Sequence, residues 1–419
     1  MSTHRLIPGV VLGAALLALG PVPAAEFGIY GDGSSTNNPD LLRGGIDCEN
    51  CAAAPLREDV HPPFDIDWSL ALRGSFVEGT SGTRYEASVA PSVAFTTSGP
   101  RTSLSVTADG EVVRSNIEPW RIAALRVGAA AGYELDSVTV ATLAASLALT
   151  QDAPDSPGNA ANVLESPRVL SGEIEAAVAR DFGIAAIIPR VFASRALYGE
   201  TTVAGPAIED NTWQSNTVGG AGLRVGKAVS PVFGVFADGD VRYQGFDAPN
   251  PSLLVPLDNV EYAVRGGVTA RGPLFDAEAS LGYGELHYVY GLPPLSAVLY
   301  NARATVRPDE TVTLSALFST ELSPPGTGGG QGRIGYTARL DAGYVVNPWL
   351  ALRASADWTR AERVGTTEIE TSYGFGVGAD YAVSDRAVVS ADYAYGHGEN
   401  PPSAARDSHR VTLGVTFTD

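Results

Sequence analysis

From Phe64 onward, apolar and polar positions alternate along the chain. Phe64, Ile66, Trp68, Leu70, Leu72 and Phe76 share one parity, while Asp65, Asp67, Ser69, Ala71, Arg73 and Ser75 share the other, and Gly74 is the only gap in the apolar series. A period of two places the two sets on opposite faces of a β-strand. The pattern returns in Tyr85–Phe95, Val260–Val268, Ile334–Tyr344, Leu350–Trp358 and Tyr373–Tyr381. Each segment lasts about ten to thirteen residues, the length that a tilted strand needs to cross hydrocarbon.

The links between segments alternate in length. Short links are expected at Ser98–Arg101, Glu134–Ser137, Phe182–Ala185, Ala228–Pro231, Gly272–Pro273, Pro308–Glu310, Val346–Pro348 and Val383–Asp385. Longer ones fall at Gln151–Arg168, Gly199–Gln214, Gly245–Leu257, Leu322–Gly332 and Gly398–Ser408. Tight turns at one rim and long loops at the other are the asymmetry of a transmembrane barrel. The prediction is an all-β, antiparallel, up-and-down transmembrane barrel over 64–419, with about eighteen strands and sixteen as the alternative count. Both chain ends then fall on the short-turn side, which is periplasmic in such barrels. Three segments argue for helix instead: Leu170, Ile174, Ala177 and Val178 have helical spacing, and Ile122–Ala131 and Ala141–Ala148 are rich in Ala and Leu. Their alternating neighbours favour strand, because propensity yields to tertiary context. Pro189 leaves the register of Ala186–Tyr198 open.

Composition changes this picture little. The chain is 44% hydrophobic, and no stretch after residue 20 gives the eighteen or so continuous apolar residues of a spanning helix. A closed barrel needs none, since it satisfies its backbone hydrogen bonds internally. The formal charge of −19 excludes a nucleic-acid partner, which requires a basic surface. Before the barrel, His4 and Arg5 lead into the apolar run Leu6–Leu19 and then Gly20–Ala25, which reads as a signal peptide over 1–25. Residues 26–63 read as an irregular periplasmic segment.

That segment holds both cysteines, in Cys48-Glu49-Asn50-Cys51. In an exported chain this spacing points first to a local disulfide. A zinc site would need two further ligands, with His61 the only imidazole nearby, and a redox pair would need a βαβ context that is absent. Neither a metal nor a cofactor is expected. A hydrolytic site at the rim would use His397 with Asp392, although a strand-end polar pair is common without catalysis, and no enzyme is expected.

The polar face carries the functional case. The charges expected to line a lumen are Asp65, Asp67, Arg73, Glu86, Asp109, Glu111, Glu173 and Glu175 in the first part of the wall. In the latter part they are Arg224, Asp238, Asp240, Arg242, Arg265, Arg303, Arg333, Arg339, Asp341, Arg353 and Asp357. An acidic wall facing a basic one would set a transverse field. The competing expectation, favoured for any single residue, is that they pair across strands as structural ladders.

At the C-terminus, Val411, Leu413, Val415 and Phe417 share one face and end on an aromatic. This resembles the terminal strand by which barrel-assembly machinery recognises bacterial outer-membrane proteins, with Thr418 and Asp419 added beyond it. Tyr381–Arg386 followed by Ala387–Tyr395, and Ala228–Pro231 before Val232–Tyr243, resemble hairpins of the putative β-barrel porin 2 family. The resemblance covers 64–419 and implies a barrel in the lipid of the bacterial outer membrane. The expected function is a channel for small hydrophilic solutes. The alternatives are the outer-membrane conduit of a polysaccharide export machine, with residues 26–63 docking a periplasmic partner, and a non-conducting structural or adhesion barrel.

Overall fold

The computed structural model describes residues 64–418 except 81, 118, 155, 157–162, 206, 327–329 and 401–404. Signal peptide, Cys48, Cys51 and the rest of 26–63 lie outside the described residues. Eighteen strands form one antiparallel sheet. In chain order the first six are β1 (Phe64–Gly79), β2 (Gly82–Ser98), β3 (Thr102–Ser115), β4 (Arg121–Asp136), β5 (Thr139–Gln151) and β6 (Arg168–Asp181). Then come β7 (Ala186–Tyr198), β8 (Asn216–Ala228), β9 (Phe233–Phe246), β10 (Asn259–Gly272), β11 (Phe275–Tyr288) and β12 (Leu295–Val306). The last are β13 (Val312–Ser323), β14 (Gly332–Asn347), β15 (Leu350–Val364), β16 (Ile369–Ser384), β17 (Ala387–Glu399) and β18 (Arg406–Thr418).

Each strand pairs with the next in sequence, and β1 pairs with β18 from Ser69–Thr418 to Gly79–Ser408. That last ladder closes the sheet and removes both edges. The three segments with helical character are the strands β4, β5 and β6, each hydrogen-bonded on both sides. An isolated helix would have satisfied those groups as well. In lipid the barrel neighbours offer partners that a lone helix leaves unused. Pro189 sits within β7, opposite Leu223. At Pro91 the β2–β3 ladder is interrupted between Val89 and Ser92 and resumes in the same register, because proline has no N–H to give it.

The short rim is made by local side-chain chemistry. At six of its eight turns an Asp, Asn or Ser accepts a backbone N–H two residues on: Asp136 from Val138 (2.9 Å), Asp181 from Gly183 (2.7 Å), Ser230 from Val232 (3.2 Å), Asp309 from Thr311 (2.8 Å), Asn347 from Trp349 (3.1 Å) and Ser384 from Arg386 (3.3 Å). Such side chains mimic a backbone turn and reverse the chain within a few residues. Gly183, at φ +78°, takes the left-handed conformation that its turn requires. At the other rim most links are longer, the two-residue turn between β1 and β2 being an exception. Three short strands in the two longest of them, Val163–Glu165, Thr201–Val203 and Ala207–Glu209, pair into a second small sheet.

Most of the large apolar side chains on the barrel strands are exposed, and they share one face. Trp68, Leu72, Val127, Leu143, Ile174, Val191, Leu223, Val264, Leu281, Leu340, Phe375 and Leu413 all belong to it. In water this band would be untenable; against lipid tails it is the ordinary outer surface of a barrel. Val411, Leu413 and Phe417 are exposed on this outer face of β18, and Val415 is half-buried there.

Candidate functional site on the inner face of the barrel

Side chains of the opposite parity point inward. By register the inner face carries Asp65, Asp67 and Arg73 on β1, Glu86 on β2, Asp109 and Glu111 on β3, and Glu173 and Glu175 on β6. It also carries Arg224 on β8, Asp238, Asp240 and Arg242 on β9, Arg265 on β10 and Arg303 on β12. Arg333, Arg339 and Asp341 on β14 and Arg353 and Asp357 on β15 complete the set.

These charges are gathered into local clusters. Asp238 and Asp240 are shared by Arg265 (3.1 and 3.0 Å) and Arg190 (3.5 Å to each), tying β7, β9 and β10 together. Arg224 reaches past two strands to grip both oxygens of Glu278 (3.1 and 2.8 Å), with its guanidinium 3.7 Å from the centre of the Phe236 ring. A fork-on-fork contact stacked on an aromatic is a geometry that lysine does not reproduce. Arg242 meets the buried Glu261 at 2.6 Å. On the other side Arg353 bridges Asp380 (2.6 Å) and Asp392 (3.0 Å), and Arg339 turns to Asp341 (2.8 Å), leaving Asp357 as its register partner across the strand pair. In the first part of the wall Glu86 lies between Arg84 (2.8 Å) and Arg410 (2.7 Å), Arg126 holds Asp109 (3.1 Å) and Arg73 approaches Glu111 (3.6 Å).

An acidic wall opposing a basic one is therefore not what the barrel has. Arginines and carboxylates interleave, because strands that follow one another in sequence are neighbours in space and a charge meets its counter-ion within three strands. Asp65, Asp67, Glu173 and Glu175 make no ion pair among the described residues. Sequence reasoning missed Arg84, Arg190, Glu261, Glu370, Asp380 and Arg410 as members of these clusters. Their inward parity was readable; which partner each would choose was not, since that needs the register between strands.

The proposed rim dyad does not form. Asp392 has inward parity and is bound by Arg353, whereas His397 points outward, with Nδ1 2.8 Å from Asp407 and its ring stacked on Tyr373. An odd and an even residue of one strand lie on opposite faces.

At the long-loop rim one corner of the inner face changes character. β12 keeps its full ladder with β11, and β13 its full ladder with β14, but β12 and β13 pair only over Asn301–Val306 and Leu314–Ser319. Above that point the wall parts. The upper ends of β13 and β14 fold inward, so that Leu322 and Ile334, which have outward parity, pack on the inward Ala263, Leu286, Leu295 and Leu299. The Tyr288 hydroxyl donates to the Gln331 carbonyl (2.7 Å), and a side chain in place of Gly332 would collide with Leu295 and Tyr288. Leu286 and Leu299 are each 1% exposed. On the other face of this flap Arg333 and Arg363 both bind Glu370, all three buried.

Two further loops also reach over the mouth. The small sheet joins the links 152–167 and 199–215 to one another, and Arg406 on β18 donates to the Ser156 carbonyl (3.4 Å) although four strands separate β18 from β5. Gln151 fixes the root of the first link through Glu165 (3.2 Å) and the Ser166 carbonyl (3.0 Å), and Asn211 fixes the second through the Gly199 carbonyl (2.9 Å) and Thr201 (2.8 Å).

A closed wall with an apolar outside, a charged inside and loops drawn over one mouth has the form of an outer-membrane porin. The family model described as putative beta-barrel porin 2 matches residues 74–419. The chain belongs to that family. It is an outer-membrane β-barrel of porin type. No curated protein matches it. Among solved structures it is similar to OccAB4 of Acinetobacter baumannii, at 10% identity and a TM-score of 0.43, covering 85% of this chain and 98% of that one. It is similar too to Pseudomonas aeruginosa OpdK, solved with vanillate, at 11% identity and a TM-score of 0.44, covering 85% and 99%. A third is OccK5 (OpdH) of Pseudomonas aeruginosa, at 9% identity and a TM-score of 0.41, covering 85% and 98%.

Proposed function

We propose that this porin-family barrel is a water-filled diffusion channel for small hydrophilic solutes, with a preference for cations. The observation that carries this reading is the inner face itself. It holds arginines and carboxylates whose side chains stay a third to a half exposed, such as Arg353 at 50% and Glu111 at 36%. Ionised groups in that number stand in a bore only where water solvates them, since desolvating one costs several kcal/mol. Pairing cancels most of the field. What a passing ion meets is the surplus: the carboxylates of Glu173 and Glu175 on β6 and of Asp65 and Asp67 at the short-turn end of β1. Fixed negative charge along the bore favours cation entry. The flap from β13–β14 and the linked loops narrow the long-loop mouth and set the size limit.

Liposome swelling with graded solutes tests this reading. Proteoliposomes should admit small sugars and amino acids, exclude oligosaccharides, and take up cationic amino acids faster than anionic ones of equal size. Equal rates for both charges would remove the cation preference, and no swelling with any solute would remove the channel.

A further inference from the structure

The ladder between β12 and β13 rises from Val306–Leu314 to Asn301–Ser319 and stops there, with half the residues of each strand still to come. A strand needs about nine to eleven residues to cross hydrocarbon, so the wall opens inside the apolar band. The backbone groups on the open edge of β12 are those of Tyr300, Val298 and Ser296. Alternate residues of a strand bond to the same side, and the Tyr300 N–H is turned toward β13. It donates to the Thr320 hydroxyl (3.4 Å), a side chain standing where a ladder carbonyl would be. Val298 and Ser296 have no ladder partner on that side among the described residues, and both are exposed on the outer face. Lipid supplies no hydrogen bonds to such an edge.

The missing partner is present in the chain, and in register. Continuing the existing pairing residue by residue sets Thr320 opposite Tyr300, Glu321 opposite Leu299 and Leu322 opposite Val298. Thr320 and Leu322, with Tyr336 and Ile334 across the unbroken β13–β14 ladder, have outward parity. In a completed wall they would stand beside Tyr300 and Val298 on the lipid face. The same residues also fit the folded-in arrangement. Gly284 on β11 leaves the gap into which two leucines reach: a Cβ there would lie 2.9 Å from Leu299 Cδ1 and 3.2 Å from Leu322 Cδ1. Folded in, the flap seals the leucine cluster and leaves the edge of β12 open. Swung out, it would close that edge and uncover Leu286, Leu295 and Leu299 to the bore. Hydrogen bonding in lipid is set against apolar burial, and one sequence serves both arrangements.

We infer that the upper ends of β13 and β14 switch as one unit between this folded-in position and a zipped position, which completes the wall with β12 and widens the long-loop mouth. The widening bears on transport only through the channel reading above; the zipping does not depend on that reading.

Val298 and Leu322 report the switch, because they are directly opposite when zipped but lie on opposite faces of β12 when folded in. The test introduces Val298→Cys/Leu322→Cys into the full-length chain carrying Cys48→Ser/Cys51→Ser, oxidises it in outer membranes, and reads the disulfide by peptide mass. The pair should cross-link, as should the control Ala302→Cys/Phe318→Cys on the ladder that is already formed. In planar bilayers, oxidation of the first pair should hold conductance about two-fold above the level reached on reduction, and oxidation of the control should change nothing. The wild type, with no substitution, should visit two conductance levels. Cross-linking of the control without the test pair overturns the inference. So does a cross-linked test pair with unchanged conductance, or a conducting wild type with a single level, whether or not any variant folds. A barrel that cross-links at 298 and 322 yet passes no current leaves the switch standing and removes the channel reading.

Discussion

The inner face of this barrel is built in two ways, and the contrast is instructive. Around much of the bore, small and polar inward side chains are interspersed with charges that pair across nearby strands, as in the Arg190–Asp238–Asp240–Arg265 cluster. In the upper corner at β10–β14 the inward side chains are Ala263, Leu286, Leu295 and Leu299, sealed under the folded-in ends of β13 and β14. Both regions obey the same backbone parity. What differs is what the face looks at: the open bore in the first, another layer of protein in the second. The polarity of an inward residue thus reports its neighbour, and a run of inward leucines in a barrel marks a place where the wall has doubled over itself.

Breaking the sealed corner should have the largest effect. Leu299→Asp places a carboxylate among Leu286, Leu295 and Leu322, at a cost of about 3 kcal/mol or more, and so weakens the packing that holds the flap in. The expected result is a several-fold rise in single-channel conductance and new protease cleavage within 320–334. Glu370→Gln should come next. It leaves Arg333 and Arg363 without their shared counter-ion in a buried site, a loss of about 3 kcal/mol that hydrogen exchange would register as lost protection at the upper ends of β14, β15 and β16. In the wet region, Glu173→Gln/Glu175→Gln removes unpaired charge, and the cation-to-anion permeability ratio from reversal potentials should fall about two-fold while conductance changes little. Smallest is Arg353→Ala. Its partners Asp380 and Asp392 stay solvated, so stability should change by about 1 kcal/mol or less and cation preference should rise slightly, measured by the same reversal potential.

The architecture was legible because lipid enforces a strict alternation. Asp65, Arg73 and Arg265 could be assigned to one face from parity alone, and the alternation of short and long links fixed which rim each end occupies. Turn chemistry was equally local, as Asp181 and Ser230 show. Two features escaped. The charge clusters depend on register between strands, so Glu278 could not be matched to Arg224, three strands away, before the wall was assembled. The surface that the flap covers was written in Leu295-Ser296-Ala297-Val298-Leu299-Tyr300, whose inward positions Leu295, Ala297 and Leu299 are apolar where other strands carry polar residues, while Val298 and Tyr300 are exposed on the outer face. What this stretch packs against is a tertiary fact. His397 and Asp392 failed as a pair for a reason that was readable all along: they differ by an odd number of residues in one strand.

Single-channel recording of the purified, refolded chain in a planar bilayer tests the central claim most directly. A wet bore lined by paired charges predicts discrete, ohmic conductance steps that carry cations in preference to anions. A folded, membrane-inserted barrel that passes no current, or one whose reversal potential shows a clear anion preference, would contradict it.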